Sequence, residues 1–142
     1  MCRELGFDKD DLLLQLSNLE SAAGRFQTLK AHNNVTIIFD YAHTPDAIQN
    51  LLESYTKKSI KPSLVFGCGG DRDKGKRKKM AMIANKYAKK VYLTDDNPRN
   101  ENPNSIRKTL KKYCPKAIDI SDRRLAIHTA ISEILTKDIL II

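Results

Sequence analysis

Apolar residues along this chain gather into short branched or aromatic blocks, separated by longer stretches in which apolar and polar positions recur at helical spacing. Five blocks have the length and composition of strands: Val35–Asp40, Ser63–Gly67, Lys90–Thr94, Ala117–Ile120 and Ile139–Ile142. After the first, Thr44-Pro45-Asp46 offers an N-cap, a proline at the first helical position and an early acid. Ile48, Leu51, Leu52 and Tyr55 then share one face, which predicts a helix to about Lys57. Met80, Ile83, Ala84 and Tyr87 repeat that spacing in a second helix, whose other face is rich in lysine and therefore solvated. Ser105–Tyr113 and Asp122–Thr136 predict a third and a fourth, the last with Ile127, Ala130, Ile131 and Ile134 turned inward.

Strands that alternate with helices of this length pair in parallel through right-handed crossovers. The predicted fold is α/β: a Rossmann-like open, mostly parallel sheet with helices on both faces. The sequence shows no internal repeat and no low-complexity segment. Asp10–Leu19 reads as a further helix, with Leu12, Leu13 and Leu16 on one side, expected to pack on something upstream. Ile139–Ile142 reads as a buried strand expected to lead into another loop. Residues 1–23 are thus expected to be helix and linker from a preceding domain, and 24–142 one α/β domain cut short at its carboxyl end.

Composition narrows the functional classes. A chain of 142 residues, 41% hydrophobic and 30% charged, has the balance of one soluble domain. It has no apolar run of membrane-spanning length, and Met1-Cys2-Arg3-Glu4 does not begin a signal peptide, so a cytoplasmic address without a membrane partner is expected. Cys2, Cys68 and Cys114 are odd in number and far apart, which fits reduced thiols rather than a disulfide framework or a zinc site. The net charge of +8 suits either nucleic acid or a small anionic substrate. The densest basic run, Lys74 to Lys79, is short and carries no interleaved aromatic residues for base stacking, which favours the small anion.

In open α/β sheets ligands sit beyond the carboxyl ends of the strands, and three loops there carry functional groups. In the first, Asp40 to Asp46, a carboxylate suits ribose hydroxyls and Tyr41 suits an adenine, with His43 close by; Asp40 and Thr44 could equally do no more than cap the turn. The second, Gly67 to Arg77, combines glycines that let backbone approach a ligand with the positive charge of Arg72, Lys74 and Arg77. It is not a P-loop, because G-x-x-x-x-G-K-[ST] requires Ser or Thr where Arg77 stands. The third, Thr94 to Glu101, presents Asn97 and the guanidinium of Arg99, groups suited to an amino acid's carboxylate. Its D-D-N-P string is also ordinary turn chemistry.

Taken together, DYAHTPD, GCGGDRDKGKR and TDDNPR, with Gly24-Arg25-Phe26 ahead of the first strand, resemble the motifs of the Mur ligases. This cytoplasmic family adds amino acids to peptidoglycan precursors, and the resemblance is to its branch that adds meso-diaminopimelate. It implies a carboxy-terminal domain whose protein also has a UDP-binding domain and a central ATP-binding domain. The implied reaction is ATP-driven amide formation with magnesium (Mg2+). The D-glutamyl carboxylate of UDP-MurNAc-L-Ala-D-Glu becomes an acyl phosphate, which the amine of the amino acid attacks.

By the same resemblance, Arg72, Asp96, Asn97, Pro98 and Arg99 match residues that bind meso-diaminopimelate. Arg25 and Asp40 match residues that meet the nucleotide, with Tyr41 and His43 nearby. No catalytic set is complete within the chain, so it is expected to be inactive alone, to bind no cofactor tightly and to be a monomer. It lacks the P-loop and stops at Ile142, before a Gly-Lys-Gly-His-Glu segment that contributes to the family's amino-acid site. Folylpolyglutamate and cyanophycin synthetases share an acid-rich first loop but not the D-N-P-R string. They and a basic nucleic-acid-binding module are the alternatives.

Overall fold

The computed structural model describes residues 26–31 and 34–142. The expected helix Asp10–Leu19 and the expected nucleotide residue Arg25 lie outside them. The elements in chain order are β1 (Gln27–Lys30), β2 (Thr36–Phe39), α1 (Pro45–Thr56), β3 (Ser63–Phe66), α2 (Lys74–Tyr87), β4 (Lys90–Leu93), α3 (Pro103–Tyr113), β5 (Ile118–Asp119), α4 (Arg123–Glu133) and β6 (Ile139–Ile141). They form one sheet in the order β1-β2-β6-β3-β4-β5, parallel throughout except where β1 pairs antiparallel with β2. The fold is the α/β sheet expected from the alternation of strands and helices.

The strands read as nearly unbroken apolar runs because both faces of the sheet are covered. Leu64, Phe66, Val91, Leu93, Ile38 and Ile141 point to the side where α1, α2 and α3 pack, joined there by Ile48, Leu52, Met80, Ala84, Ile106 and Leu110. Val65, Tyr92 and Leu140, one residue out of phase, point to the other side and meet Ala126 and Ala130 of α4. Burying a Leu or Ile side chain contributes about 1.5–3 kcal/mol, so these two clusters are what hold the sheet.

Local chemistry starts each helix where the sequence signals it. Thr44 accepts a hydrogen bond from Ala47 N ahead of Pro45, and Asp73, Asn102 and Asp122 cap α2, α3 and α4 in the same way. Two expectations are corrected. The fourth helix ends at Glu133, and Ile131 is 40% exposed rather than inward, because Ala126 and Ala130 form the row that lies closest to the sheet. Ile127 and Ile134 flank that row, whereas Ile131 lies beyond its edge. The second correction is β1, which no apolar pattern announced: all four of its residues are exposed.

Candidate functional site

Strands β2, β3 and β4 run parallel with β6 among them, so the loops that follow all leave the same edge of the sheet. Each feeds a helix on the same face, and this brings the three together. The register Phe66↔Leu93 starts the second and third loops at one level on adjacent strands. They then run so close that side chains are excluded. A Cβ on Gly70 would sit 1.8 Å from the carbonyl oxygen of Pro98, and one on Gly67 2.4 Å from that of Thr94. Backbone cannot step aside as a flexible side chain can, so these two glycines are required by the close approach.

Polar contacts lock the two loops. Gly70 N donates to Asn97 O at 2.9 Å, and Asn100 Nδ2 donates to Asp71 Oδ2 at 2.8 Å. Arg99 Nη1 donates to Gly70 O. Arg77, 4% exposed, donates both terminal nitrogens to Glu101 at 2.9 and 2.7 Å and one of them also to Gly69 O at 3.1 Å. Glu101 in turn accepts from Asp71 N at 2.7 Å. The Arg77 guanidinium foremost, then the Asp71 N–H, holds the Glu101 carboxyl down at about 2. Arg77 is therefore a neutralised structural group and not the open positive charge expected from sequence. Below this, Arg107 of α3 bridges Asp119 of β5, at 2.7 Å, and Asp95 of the third loop.

The locked loops wall a cleft of about 590 Å³ lined by Tyr41, His43, Cys68, Arg72, Asp96, Asn97 and Arg99 among others. Arg72 and Arg99 thus share one cavity. Arg72 makes no hydrogen bond or ion pair among the described residues, and of the Arg99 fork only Nη1 is engaged there. Nε and Nη2 of Arg99 are left as a pair of parallel donors, the arrangement that holds a carboxylate side-on. Asn97 Oδ1 accepts from Arg99 N at 3.3 Å, and Arg99 takes a left-handed φ of 48°. Pro98 belongs to the same turn, its carbonyl accepting from Glu101 N at 2.9 Å. Asp96 is exposed beside Gly67.

The first loop forms the adjoining wall. A second cavity of about 340 Å³, apolar at its base through Ile48, Leu52, Leu64 and Phe66, is rimmed by Asp40, Tyr41, His43, Asp96 and Arg123. Asp40 Oδ2 accepts from Phe26 N at 3.0 Å, tying the loop to the residue that follows Arg25. Tyr41 is 71% exposed, with its ring open to solvent. His43 Nδ1 lies 2.7 Å from Tyr41 O, so Nδ1 carries the proton and donates, and Nε2 is the accepting atom when the ring is neutral. Cys68, in the wall of the larger cleft, is buried against Met80, and burial pushes its thiol up to about 11. It is no nucleophile at neutral pH.

Glu101 and Arg123 were not singled out from sequence. For Glu101 the signal would have been a carboxylate directly before the N-cap of a helix, in the loop beside a basic one. Among the described residues no three His, Cys, Asp or Glu side chains converge as a metal would need. No described helix is long and apolar enough to cross a membrane.

The fold and these loops define an α/β ligand-binding domain with a cationic cleft beside a cavity rimmed by an acid and an aromatic ring. Residues 24–142 match the family model for the Mur ligase glutamate ligase domain, and the chain belongs to that family. It is 43% identical over 145 residues to the UDP-N-acetylmuramoyl-L-alanyl-D-glutamate–2,6-diaminopimelate ligase of Cytophaga hutchinsonii, an alignment covering 97% of this chain and 30% of that protein. The ligase of the same name from Anaplasma marginale is 47% identical over 122 residues, covering 82% and 24%. A solved structure of a ligase so named superposes with a TM-score of 0.74 at 36% identity, covering 98% of this chain and 29% of that one. The chain spans about 30% of the length of such relatives.

Proposed function

We propose that residues 24–142 form the domain that presents meso-diaminopimelate in an ATP-dependent ligase, which joins it to UDP-MurNAc-L-Ala-D-Glu in the cytoplasm. The observation that carries this reading is the meeting of Arg72, Asn97 and Arg99 in one cleft, with the Nε and Nη2 donors of Arg99 unengaged among the described residues. Diaminopimelate has a carboxylate at each end and an ammonium beside each. Arg72 and Arg99 suit the carboxylate at the end away from the reacting amine, Asn97 offers a neutral polar group, and Asp96 suits an ammonium. Pro98 holds the turn that carries Arg99.

ATP supplies the phosphoryl group that activates the D-glutamyl carboxylate. The residues around the second cavity fit an adenosine: Asp40 as acceptor for ribose hydroxyls, the open face of Tyr41 for the base, and His43 Nε2 as a further polar contact. We assign Arg25 to the same ligand and residues 1–23 to the join with a preceding domain. Magnesium is assigned to groups outside the described residues, since no carboxylate cluster fits it here. The contribution of this domain to rate is orientation, which can be worth about 7–11 kcal/mol when the reacting atoms are held in near-attack geometry.

Calorimetry on the full-length protein, with its uridine nucleotide substrate present, tests the reading. Meso-diaminopimelate should bind, and L-lysine, which lacks the second carboxylate, should give no heat at the same concentration. Binding of both alike would overturn it.

A further inference from the structure

Buried in the wall of the cleft is an ion pair that the reading above does not use. Arg77 and Glu101 are 24 positions apart in sequence, on the first turn of α2 and just ahead of α3. Glu101 keeps 19% side-chain exposure and Arg77 5%. The pair is bidentate, and each partner also bonds backbone of the second loop: Arg77 Nη2 donates to Gly69 O and Glu101 accepts from Asp71 N, while the buried Arg77 Nε has no partner among the described residues. Lys74 approaches the same carboxylate at 3.9 Å.

The position of this pair gives it leverage on the two cleft arginines. Asp71, whose N–H Glu101 holds, takes a left-handed φ of 50° and is followed directly by Arg72. Arg99 takes a φ of 48° two residues before Glu101, in the turn closed by Glu101 N on Pro98 O. Left-handed backbone is unfavourable for a residue with a side chain, and it persists only where surrounding contacts fix it. Among the described residues Glu101 grips both strained turns, through its side chain on one and its backbone on the other, and the neighbouring Asn100 adds its own bonds to the Asp71 carboxylate. Its charge is fixed by Arg77 far below neutral pH.

Resting on the proposed function, we infer that Arg77 and Glu101 are positioning residues that set the separation of Arg72 and Arg99, and so the fit of a dicarboxylic amino acid, without touching it. Glu101→Gln removes the charge and replaces one accepting oxygen with an NH2 that faces a donor of Arg77 or of Asp71, which leaves the Arg77 guanidinium buried without its ionic partner, a strongly unfavourable arrangement unless the loops move. The arginines then lose their spacing while the nucleotide wall, built on β2 and α1, is unaltered.

The test is steady-state kinetics of the full-length enzyme carrying Glu101→Gln, varying meso-diaminopimelate and ATP separately. KM for the amino acid should rise about 10- to 100-fold, at about 1.4 kcal/mol of binding per tenfold, with KM for ATP within about twofold of wild type. Glu101→Asp, which restores the charge one methylene short, should recover most of the loss. Arg77→Lys, which keeps the charge but not the fork, should show the same selective KM defect and serves if Glu101→Gln does not fold. An unchanged KM for the amino acid in folded variants, or equal losses toward both substrates, overturns the inference. Wild-type enzyme that does not turn over meso-diaminopimelate would instead overturn the function on which it rests.

Discussion

Gly70 shows how far a single hydrogen atom decides this site. A methyl group in its place would have to occupy the carbonyl of Pro98, so Gly70→Ala must push the second and third loops apart. We expect a loss of about 1–3 kcal/mol, the cost of overpacking a well-packed site, read as a lower urea midpoint, together with weaker amino-acid binding. The buried thiol of Cys68 gives an independent check on how tightly the loops close. With its pKa raised to about 11, Cys68 should react with iodoacetamide at pH 8 at least ~100-fold more slowly than an exposed thiol, followed by peptide mass spectrometry. Rapid labelling in the folded protein would show the loops to be open. That Arg72, Asn97 and Arg99 line one cleft was legible because each lies in a loop directly after a strand, at the edge where a parallel sheet opens its crevice. Arg77 was misread as an open charge because its burial depends on Glu101, and nothing in the local sequence announces a partner so far away.

At the scale of elements, the first helix was legible from its start, where Thr44 caps it ahead of Pro45, and the second from the spacing of its apolar residues; the caps Asp73 and Asn102 and the proline that starts α3 were not read, so the third helix was begun at Ser105, two residues late. The strands buried on both faces were legible as apolar runs. Edge strand β1 was not, since it has no buried face to impose a pattern, and Ile131 was placed inward because periodicity cannot say which apolar row lies nearest the sheet. The clamp between the α2 and α3 ends carries a pH signature. Folding lowers the Glu101 pKa to about 2, so the stability it contributes is fully present above the unfolded value of about 4.3 and is lost as pH falls toward 2. Urea midpoints measured from pH 6 down to pH 2 should therefore fall less steeply in Glu101→Gln than in wild type. Parallel curves would mean that the pair contributes nothing to folding.

At the scale of the whole molecule, the alternation of strands and helices made the α/β class legible, but not the insertion of the last strand, β6, between β2 and β3. That placement depends on α4 crossing back on the opposite face from the other helices, which no local pattern specifies. With it the first loop comes alongside the second and third, and the two cavities share a wall at Tyr41, His43 and Asp96. In the proposed ligase this shared wall sets the amino acid beside the activated carboxylate. The 142 residues alone hold no P-loop, so we expect no phosphate release from ATP above blank when they are assayed by themselves.

The central claim is that the cleft recognises the distal carboxylate of meso-diaminopimelate through Arg72 and Arg99. Sites built on such a contact reject an analogue lacking it by about 10⁴–10⁵, because the analogue leaves buried polar groups unpaired. The direct measurement is kcat/KM of the full-length enzyme for meso-diaminopimelate and for L-lysine, in wild type and in Arg99→Ala. Wild type should prefer meso-diaminopimelate by about that factor, and the variant should lose most of the preference by losing activity toward meso-diaminopimelate. Comparable kcat/KM for the two amino acids in the wild-type enzyme would contradict the assignment.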